Sequence, residues 1–180
     1  THAPPCNGGF RMKFEIAHDF DVPVDEFERV LFHEGLPAIL KDRMETMIDI
    51  EPMFMERSAD TLVRKVKYSP VPLIKSVGAK KVDPAWMVWV EESSYDFATH
   101  KGTFTNVPTN HKIAELLKNG GTLEIRPTGS GSCQQVIHGD LEVKVFMVGK
   151  VAERLIKTNA VKILDEQAAV MKQVIANKEL

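Results

Sequence analysis

Residues 148–177 read VGKVAERLIKTNAVKILDEQAAVMKQVIAN, and this stretch decides the fold. It contains no proline and its only glycine is its second residue, so nothing inside it interrupts a helix. Apolar residues recur three or four positions apart and form one stripe. The stripe consists of Val151, Leu155, Ile156, Ile163, Leu164, Val170, Met171 and Ile175. At 1.5 Å per residue the predicted helix spans roughly 40 Å, so it needs an equally long apolar surface to pack on.

The chain before this helix supplies such a surface, because it has the pattern of strands joined by turns. The predicted strands cover about 44–57, 61–68, 86–95, 99–107, 122–128 and 134–147. Short turns separate the two members of each pair, so we expect three successive β-hairpins. Residues 109–119 mix helical and sheet spacing and stay unassigned.

The N-terminal part adds a strand and two short helices. Residues 12–19 alternate apolar and polar side chains, as in a strand with one covered face. A helix is predicted to begin at a capping Asp25, and a second runs from Leu36 to about Arg43. A large antiparallel sheet curls, and a long helix in its concave side covers the apolar face. We therefore predict an α+β fold with a pocket between sheet and helix, closed at one end by the short helices.

Composition restricts the function classes. The chain of 180 residues is 43% hydrophobic, with 23 Lys and Arg against 25 Asp and Glu. That balance lacks the basic surface of a nucleic-acid-binding protein. No apolar run approaches the roughly 20 residues of a membrane-spanning helix. Cys6 and Cys133 are the only cysteines, which suits a reducing compartment, and we expect the cytoplasm. Residues 1–11 are set aside as a flexible arm, and 12–180 are expected to form a single domain.

Two passages of the sequence resemble a known superfamily. One is FEIAHDF at 14–20 leading into VPVDEFERVL at 22–31, and the other is GDLEVKV at 139–145 leading into FMVGKVAE at 146–153. They are similar to the START-like, or SRPBCC, superfamily of helix-grip ligand-binding domains, and to an uncharacterised bacterial branch of it. The resemblance implies a curved antiparallel sheet of six to seven strands around the C-terminal helix. It also implies a small hydrophobic or amphipathic ligand such as a lipid, and it carries over no catalytic residue.

Polar residues on predicted inward faces are candidates for ligand binding. Arg64 shares a strand face with Leu62 and Val66, and a buried arginine needs a carboxylate, a ligand head group or water as its partner. Glu92 is the predicted partner. The alternative is that the strand bulges, or that the arginine reaches solvent at the end of the sheet. His18 follows Phe14 and Ile16 on an inward face, with a position at the rim as its alternative.

Other candidates come from the long helix and the central hairpin. Asn159 and Gln167 lie beside the apolar stripe, where they would bond either a ligand or buried backbone. Strand alternation puts Trp86 and Trp89 on opposite faces, so we expect one of them to be exposed. The full set of candidate ligand-binding residues is His18, Arg64, Trp86, Val88, Glu92, Phe104, Leu155, Asn159, Ile163 and Gln167.

The sequence predicts neither a metal site, a catalytic motif nor a cofactor, because it has no paired metal ligands, nucleophile elbow or phosphate loop. The leading hypothesis is a protein that binds or transfers a lipid or similar hydrophobic molecule. The alternative is a cyclase/dehydratase-type enzyme using Glu92, His18 or Arg64 in the same cavity. A third hypothesis is a protein-interaction module whose core is filled by side chains and has no cavity. The loop 69–83, with Lys75, Lys80 and Lys81, either contacts an anionic membrane transiently or packs on the domain.

Overall fold

The computed structural model describes residues 10–72, 74–77, 79–144 and 149–180. The predicted arm, with Cys6, lies outside them over residues 1–9, as do residues 145–147 at the end of the last predicted strand and Val148, the first residue of the predicted helix. Residues 10 and 11 were assigned to the arm but belong to the first strand. The strands are β1 Phe10–Phe20, β2 Met47–Arg57, β3 Thr61–Pro70, β4 Ser76–Val77, β5 Lys80–Lys81, β6 Trp89–Asp96, β7 Lys101–Pro108, β8 Leu117–Gly129 and β9 Ser132–Val143. The helices are α1 Val24–Leu31, α2 Leu36–Arg43, α3 His111–Leu116 and α4 Gly149–Ala176, with a 3₁₀ helix at Pro84–Met87.

Seven of these strands form one antiparallel sheet in the order β1-β9-β8-β7-β6-β3-β2, and β4 and β5 form a separate small hairpin. The three predicted hairpins are present as β2/β3, β6/β7 and β8/β9. β2 is an edge strand that contains Pro52 and a register shift before Phe54, features that edge strands tolerate. The predicted α+β helix-grip fold is confirmed.

Local details differ from the predictions. Pro23, not Asp25, precedes the first turn of α1, and Asp25 lies within that turn. β6 begins only at Trp89, because Asp83 caps the 3₁₀ helix by accepting the N–H of Ala85 at 2.9 Å. The unassigned residues 109–119 form α3, capped by Asn110, and the start of β8.

One row of paired residues crosses the whole sheet. From β2 to β1 it runs Met55, Arg64, Ser93, Phe104, Gly121, Gly139 and Phe14. A Cβ atom on Gly139 would overlap the ring of Phe14, and one on Gly121 would lie 3.0 Å from Phe104 Cζ. The two glycines therefore let both aromatic rings lie against the sheet surface.

α4 crosses the concave side of the sheet and is held at both ends. Near its N terminus the buried Glu153 accepts the backbone N–H of Val143 at 3.3 Å. Further along, the Glu166 carboxylate accepts the N–H of Glu45 at 2.6 Å and that of Thr46 at 3.1 Å. The C-terminal part of α4 is packed into the hydrophobic core with α1 and α2. Its buried residues are Ala168, Val170, Met171 and Val174.

Candidate functional site

A cavity of about 320 Å³ lies between the concave sheet and the N-terminal half of α4. Its walls come from β3, β6, β7 and β8, from the 3₁₀ helix and α3, and from α4. The wall residues of α4 recur at helical spacing. They are Ala152, Ile156, Asn159, Ala160, Ile163, Leu164 and Gln167. The apolar stripe of α4 is thus divided between a packed core at one end and an open space at the other.

Aromatic rings cover much of the cavity wall. Phe14 and Phe104 lie over the two glycines of the central row. Tyr68 and Trp89 stack on each other, with ring centroids 5.3 Å apart and an angle of 17° between the planes. Such a wall buries a large apolar surface while offering flat faces to a ligand.

A polar cluster interrupts this apolar wall on β3 and β6. The Arg64 guanidinium donates to Ser93 Oγ at 3.3 Å and to Glu91 Oε1 at 3.5 Å. It also lies 3.5 Å from the carbonyl oxygen of Leu31 and 5.3 Å from the Phe32 ring centroid. The Arg64 side chain is only 14% exposed, and that of Glu91 20%. Because these bonds are long, the guanidinium retains donors for a ligand acceptor.

Tyr68 adds a hydroxyl group to the same wall. Burial, reinforced by the negative charge of Glu91, raises the pKa of the Tyr68 phenol above its usual value. The phenol therefore stays protonated at neutral pH and can donate a hydrogen bond.

Carboxamides continue the polar strip towards β8. Strand register places Glu91, Asn106 and Asn119 side by side on neighbouring strands, and all three line the cavity. Asn106 Oδ1 is buried and has no hydrogen-bond partner among the described residues. A buried acceptor of this kind is costly unless a donor reaches it, which a ligand or a water molecule would supply.

Seven of the ten candidate residues from the sequence line the cavity. They are Arg64, Trp86, Val88, Phe104, Asn159, Ile163 and Gln167. Trp86 is also 40% exposed, so it lies at the cavity edge. Asn159 donates its side-chain N–H to the carbonyl oxygen of Leu155 at 2.8 Å, so part of its hydrogen-bonding capacity is used within α4.

The other three candidates lie elsewhere. Glu92 is on the outer face of β6, where it pairs with Lys65 at 2.7 Å. His18 faces α4 and its Nε2 lies 2.7 Å from Asp165 Oδ1. Leu155 is half-buried and lies about a quarter turn from the wall face of α4.

The prediction of Glu92 as the partner of Arg64 was wrong by one residue, and Glu91 takes that position. The prediction rested on the shared alternation of Glu92 with Val88 and Val90, but Val88 precedes β6 and Val90 lies between the cavity-lining Trp89 and Glu91, so these valines do not mark the inward face. Trp89 and Tyr95 do indicate it, because both bulky rings lie inward. Alternation from them would have identified Glu91 and Ser93.

A second polar cluster lies behind the cavity. The buried Glu28 accepts the Tyr95 hydroxyl at 2.6 Å and lies 2.7 Å from His100 Nδ1. Burial, with a smaller contribution from the charge of Glu28, raises the pKa of the Cys133 thiol to about 11. This cluster joins α1 to β6 and to the β6–β7 turn.

The described part of the chain lacks two other features. It brings together no group of three or more His, Cys, Asp or Glu side chains that could hold a metal ion. Among the same residues, no helix is both long and apolar enough to span a bilayer.

Solved structures with similar folds are distant in sequence. Over 94% of this chain and all of its own, TTHA0849 from Thermus thermophilus is 14% identical, with a TM-score of 0.65. The Zhui aromatase/cyclase from a Streptomyces species gives 13% identity over 92% of this chain and 96% of its own, with a TM-score of 0.61. Norcoclaurine synthase from Thalictrum flavum, in complex with dopamine and hydroxybenzaldehyde, gives 16% over 98% and 94%, with a TM-score of 0.66. These neighbours confirm the predicted START-like helix-grip fold.

Sequence comparison with curated proteins gives no significant match. A family model described as "Protein of unknown function (DUF2505)" matches residues 15–175. Since that match covers most of the chain, the protein belongs to the DUF2505 family.

Proposed function

We propose that this protein binds or transfers a hydrophobic small molecule, a lipid or a molecule of similar character, in the cavity beneath α4. The observation that carries the proposal is the space of about 320 Å³ between sheet and helix. It falls at the lower end of the range for small-molecule sites, and an interaction module with a filled core would not have it. We place this activity in the cytoplasm.

The wall chemistry supports an amphipathic ligand. Apolar ligand surface removed from water contributes about 25 cal/mol per Å². Arg64 offers donors to a ligand acceptor, and Asn106 offers an unsatisfied acceptor to a ligand donor. The ligand would therefore place its polar groups along the strip from β3 to β8 and its apolar part under α4. The similarly folded norcoclaurine synthase holds two small aromatic molecules, which supports this use of the fold.

Native mass spectrometry of the purified protein tests the proposal directly. We expect a bound species that survives gentle ionisation and is identified after solvent extraction. Protein that carries nothing, and takes up neither fatty acids nor aromatic probes when these are offered, would contradict a binding function.

A matched pair of substitutions on α4 tests the location of the site. Ile163→Phe places a larger side chain in the cavity wall, so we expect ligand capacity to fall markedly. Leu155→Phe changes the same helix away from the wall and should leave capacity near that of the unchanged protein. Titration with the fluorescent fatty acid cis-parinaric acid measures both, and thermal unfolding controls for stability. A collapse of stability in Ile163→Phe would mean that this face packs on a solid core.

A cyclase-type enzyme is the second candidate, and the cluster of Arg64, Glu91, Ser93 and Tyr68 favours it. Positioned donors beside a carboxylate could stabilise a developing oxyanion and move a proton. His18 and Glu92 lie outside the cavity wall, so this enzyme hypothesis assigns them no role. Incubation of the protein with its extracted ligand should then release a product lighter by one water, and Glu91→Gln should abolish that product. An unchanged ligand favours the carrier.

A further inference from the structure

Three chain segments come together at one end of the sheet, around the opening of the cavity. Trp89 at the start of β6 pairs with Pro108 at the end of β7, and Leu117 pairs with Val143 at the end of β9. The 3₁₀ helix, α3 and the first turns of α4 all contribute to the cavity wall there. The backbone N–H of Lys144 donates to the carbonyl oxygen of Leu116 at 2.7 Å, which joins the end of β9 to α3.

Each of these segments exposes one large apolar side chain. Trp86 of the 3₁₀ helix is 40% exposed, Leu116 of α3 39%, and Val151 of α4 50%. Trp86 itself lines the cavity, and the residues that follow the other two, Leu117 and Ala152, line it as well. The exposed apolar surface is therefore continuous with the inside of the cavity.

Lysines accompany this apolar surface. We call these lysines, together with Trp86, Leu116 and Val151, the mouth surface. The lysines are Lys75, Lys81, Lys112, Lys118 and Lys144, and all five are exposed. None of them forms an ion pair with a residue that the structure describes, whereas Lys41, Lys65, Lys67 and Lys101 each pair with a carboxylate.

Few acidic groups balance these lysines. The acidic residues near the opening are Asp83, which caps the 3₁₀ helix, Glu115, Glu142 opposite Lys118, and the buried Glu153, which accepts the backbone N–H of Val143. The chain as a whole has a formal net charge of -2. Positive charge is therefore concentrated at the opening, although the protein is slightly acidic overall.

We propose that the mouth surface docks on an anionic lipid bilayer, so that a hydrophobic ligand passes between membrane and cavity without crossing water. The inference rests on the proposed function and extends it by naming the partner. Lysines are attracted to anionic head groups, while a tryptophan ring is suited to the boundary between head groups and acyl chains. An acidic protein would satisfy the lysines but would give no reason for apolar surface continuous with a ligand cavity.

Co-sedimentation with vesicles tests the docking. We expect the full chain to bind phosphatidylcholine vesicles that contain phosphatidylglycerol, to bind pure phosphatidylcholine weakly, and to release as salt is raised. The double variant Lys75→Glu/Lys81→Glu should bind these vesicles at least about 25-fold more weakly, because each lysine near such a surface contributes about fivefold. Trp86→Ala should also weaken binding.

Matched controls lie away from the opening. Lys162→Glu/Lys178→Glu makes the same change in net charge on and after α4, and Phe54→Ala removes an exposed aromatic ring from β2. Both should bind vesicles as the unchanged protein does. Equal losses in the mouth and control variants, or no preference for anionic vesicles, would overturn the docking proposal.

Uptake of cis-parinaric acid without vesicles separates this proposal from the proposed function. The mouth variant Lys75→Glu/Lys81→Glu should take up the probe normally. Probe uptake without vesicle binding overturns the docking alone. Vesicle binding by a protein that takes up no hydrophobic ligand overturns the proposed function while the docking surface remains.

Discussion

At the level of single residues, Gly139 and Gly121 let two aromatic rings of the cavity wall lie close to the sheet. Each lies beneath an aromatic ring, Phe14 on Gly139 and Phe104 on Gly121. A side chain at Gly139 would have to displace the Phe14 ring, whereas one at Gly121 would first meet the backbone oxygen of His138 and then the tip of the Phe104 ring at 3.0 Å. The absence of a Cβ atom at these two positions thus lets both rings lie closer to the sheet.

Gly139→Ala should reduce both stability and ligand capacity. The new methyl group pushes the Phe14 ring towards α4, at a cost of about 1–3 kcal/mol in the free energy of unfolding. Urea denaturation and probe titration measure the two effects. Gly131→Ala is the control, because a Cβ atom there meets nothing within 4 Å. Adding Phe14→Leu to Gly139→Ala should recover part of the loss, and no recovery would argue against the ring clash as the cause.

Cys133 should be chemically inert in the folded protein. It is fully buried, and burial raises its pKa from 9.0 to about 11, so almost no thiolate exists at neutral pH. In a Cys6→Ser chain, iodoacetamide at pH 8 should modify Cys133 only after unfolding.

The same raised pKa predicts how stability depends on pH. The folded state holds the Cys133 proton more tightly than the unfolded state, so the contribution is complete below about pH 9 and is lost as pH rises towards 11. Urea midpoints across this range should therefore fall with pH. Rapid labelling of native protein at pH 8 would contradict both expectations.

The roles of individual residues were predicted less well than the elements that carry them. Arg64 was placed correctly because Leu62 and Val66 are on the same regular strand. Glu91 was missed because Val88 and Val90 were taken to mark the inward face, whereas Val88 precedes β6 and Val90 lies on its outer face. Asn106 and Asn119 carry no signal in one sequence, since their importance comes from pairing between β7 and β8.

At the level of elements, α4 is attached through two carboxylates, Glu153 and Glu166, and one packed face. Glu166 accepts two backbone N–H groups and the Thr46 hydroxyl at the α2–β2 connection. The long amphipathic pattern predicted this helix well, because its stripe is continuous. The pattern did not predict that half of the stripe faces a cavity, since apolar residues suit both surroundings.

Glu166→Gln should destabilise the protein by about 1–3 kcal/mol, because a carboxamide has one acceptor oxygen where the carboxylate has two. Urea denaturation measures the change. Asp165→Asn is the matched control: Asp165 is exposed, and the carboxamide keeps an oxygen for its single hydrogen bond to the largely buried His18, so we expect less than about 1 kcal/mol. Similar losses in both variants would mean that Glu166 has no special role in holding α4.

At the level of the whole molecule, the sheet, α1, α2 and the end of α4 share one hydrophobic core. We therefore propose that residues 12–180 behave as a single domain. Far-UV circular dichroism and tryptophan fluorescence should report coincident unfolding transitions in urea. Two separated transitions would show that part of the chain unfolds independently.

The order of elements made the architecture predictable, because a strand, two short helices, a run of hairpins and a long helix can bury their apolar faces in few ways. The set of residues that lines the cavity was not predictable, since it depends on contacts between residues far apart in the chain.

Glu153 and Glu166 hold α4 at two points, and most of its cavity-wall residues lie between them. Its internal hydrogen bonds make it stiff, and the sheet below is stiff for the same reason, so neither collapses into the gap between them. The proposed uptake and release of a ligand would then need no refolding of the chain.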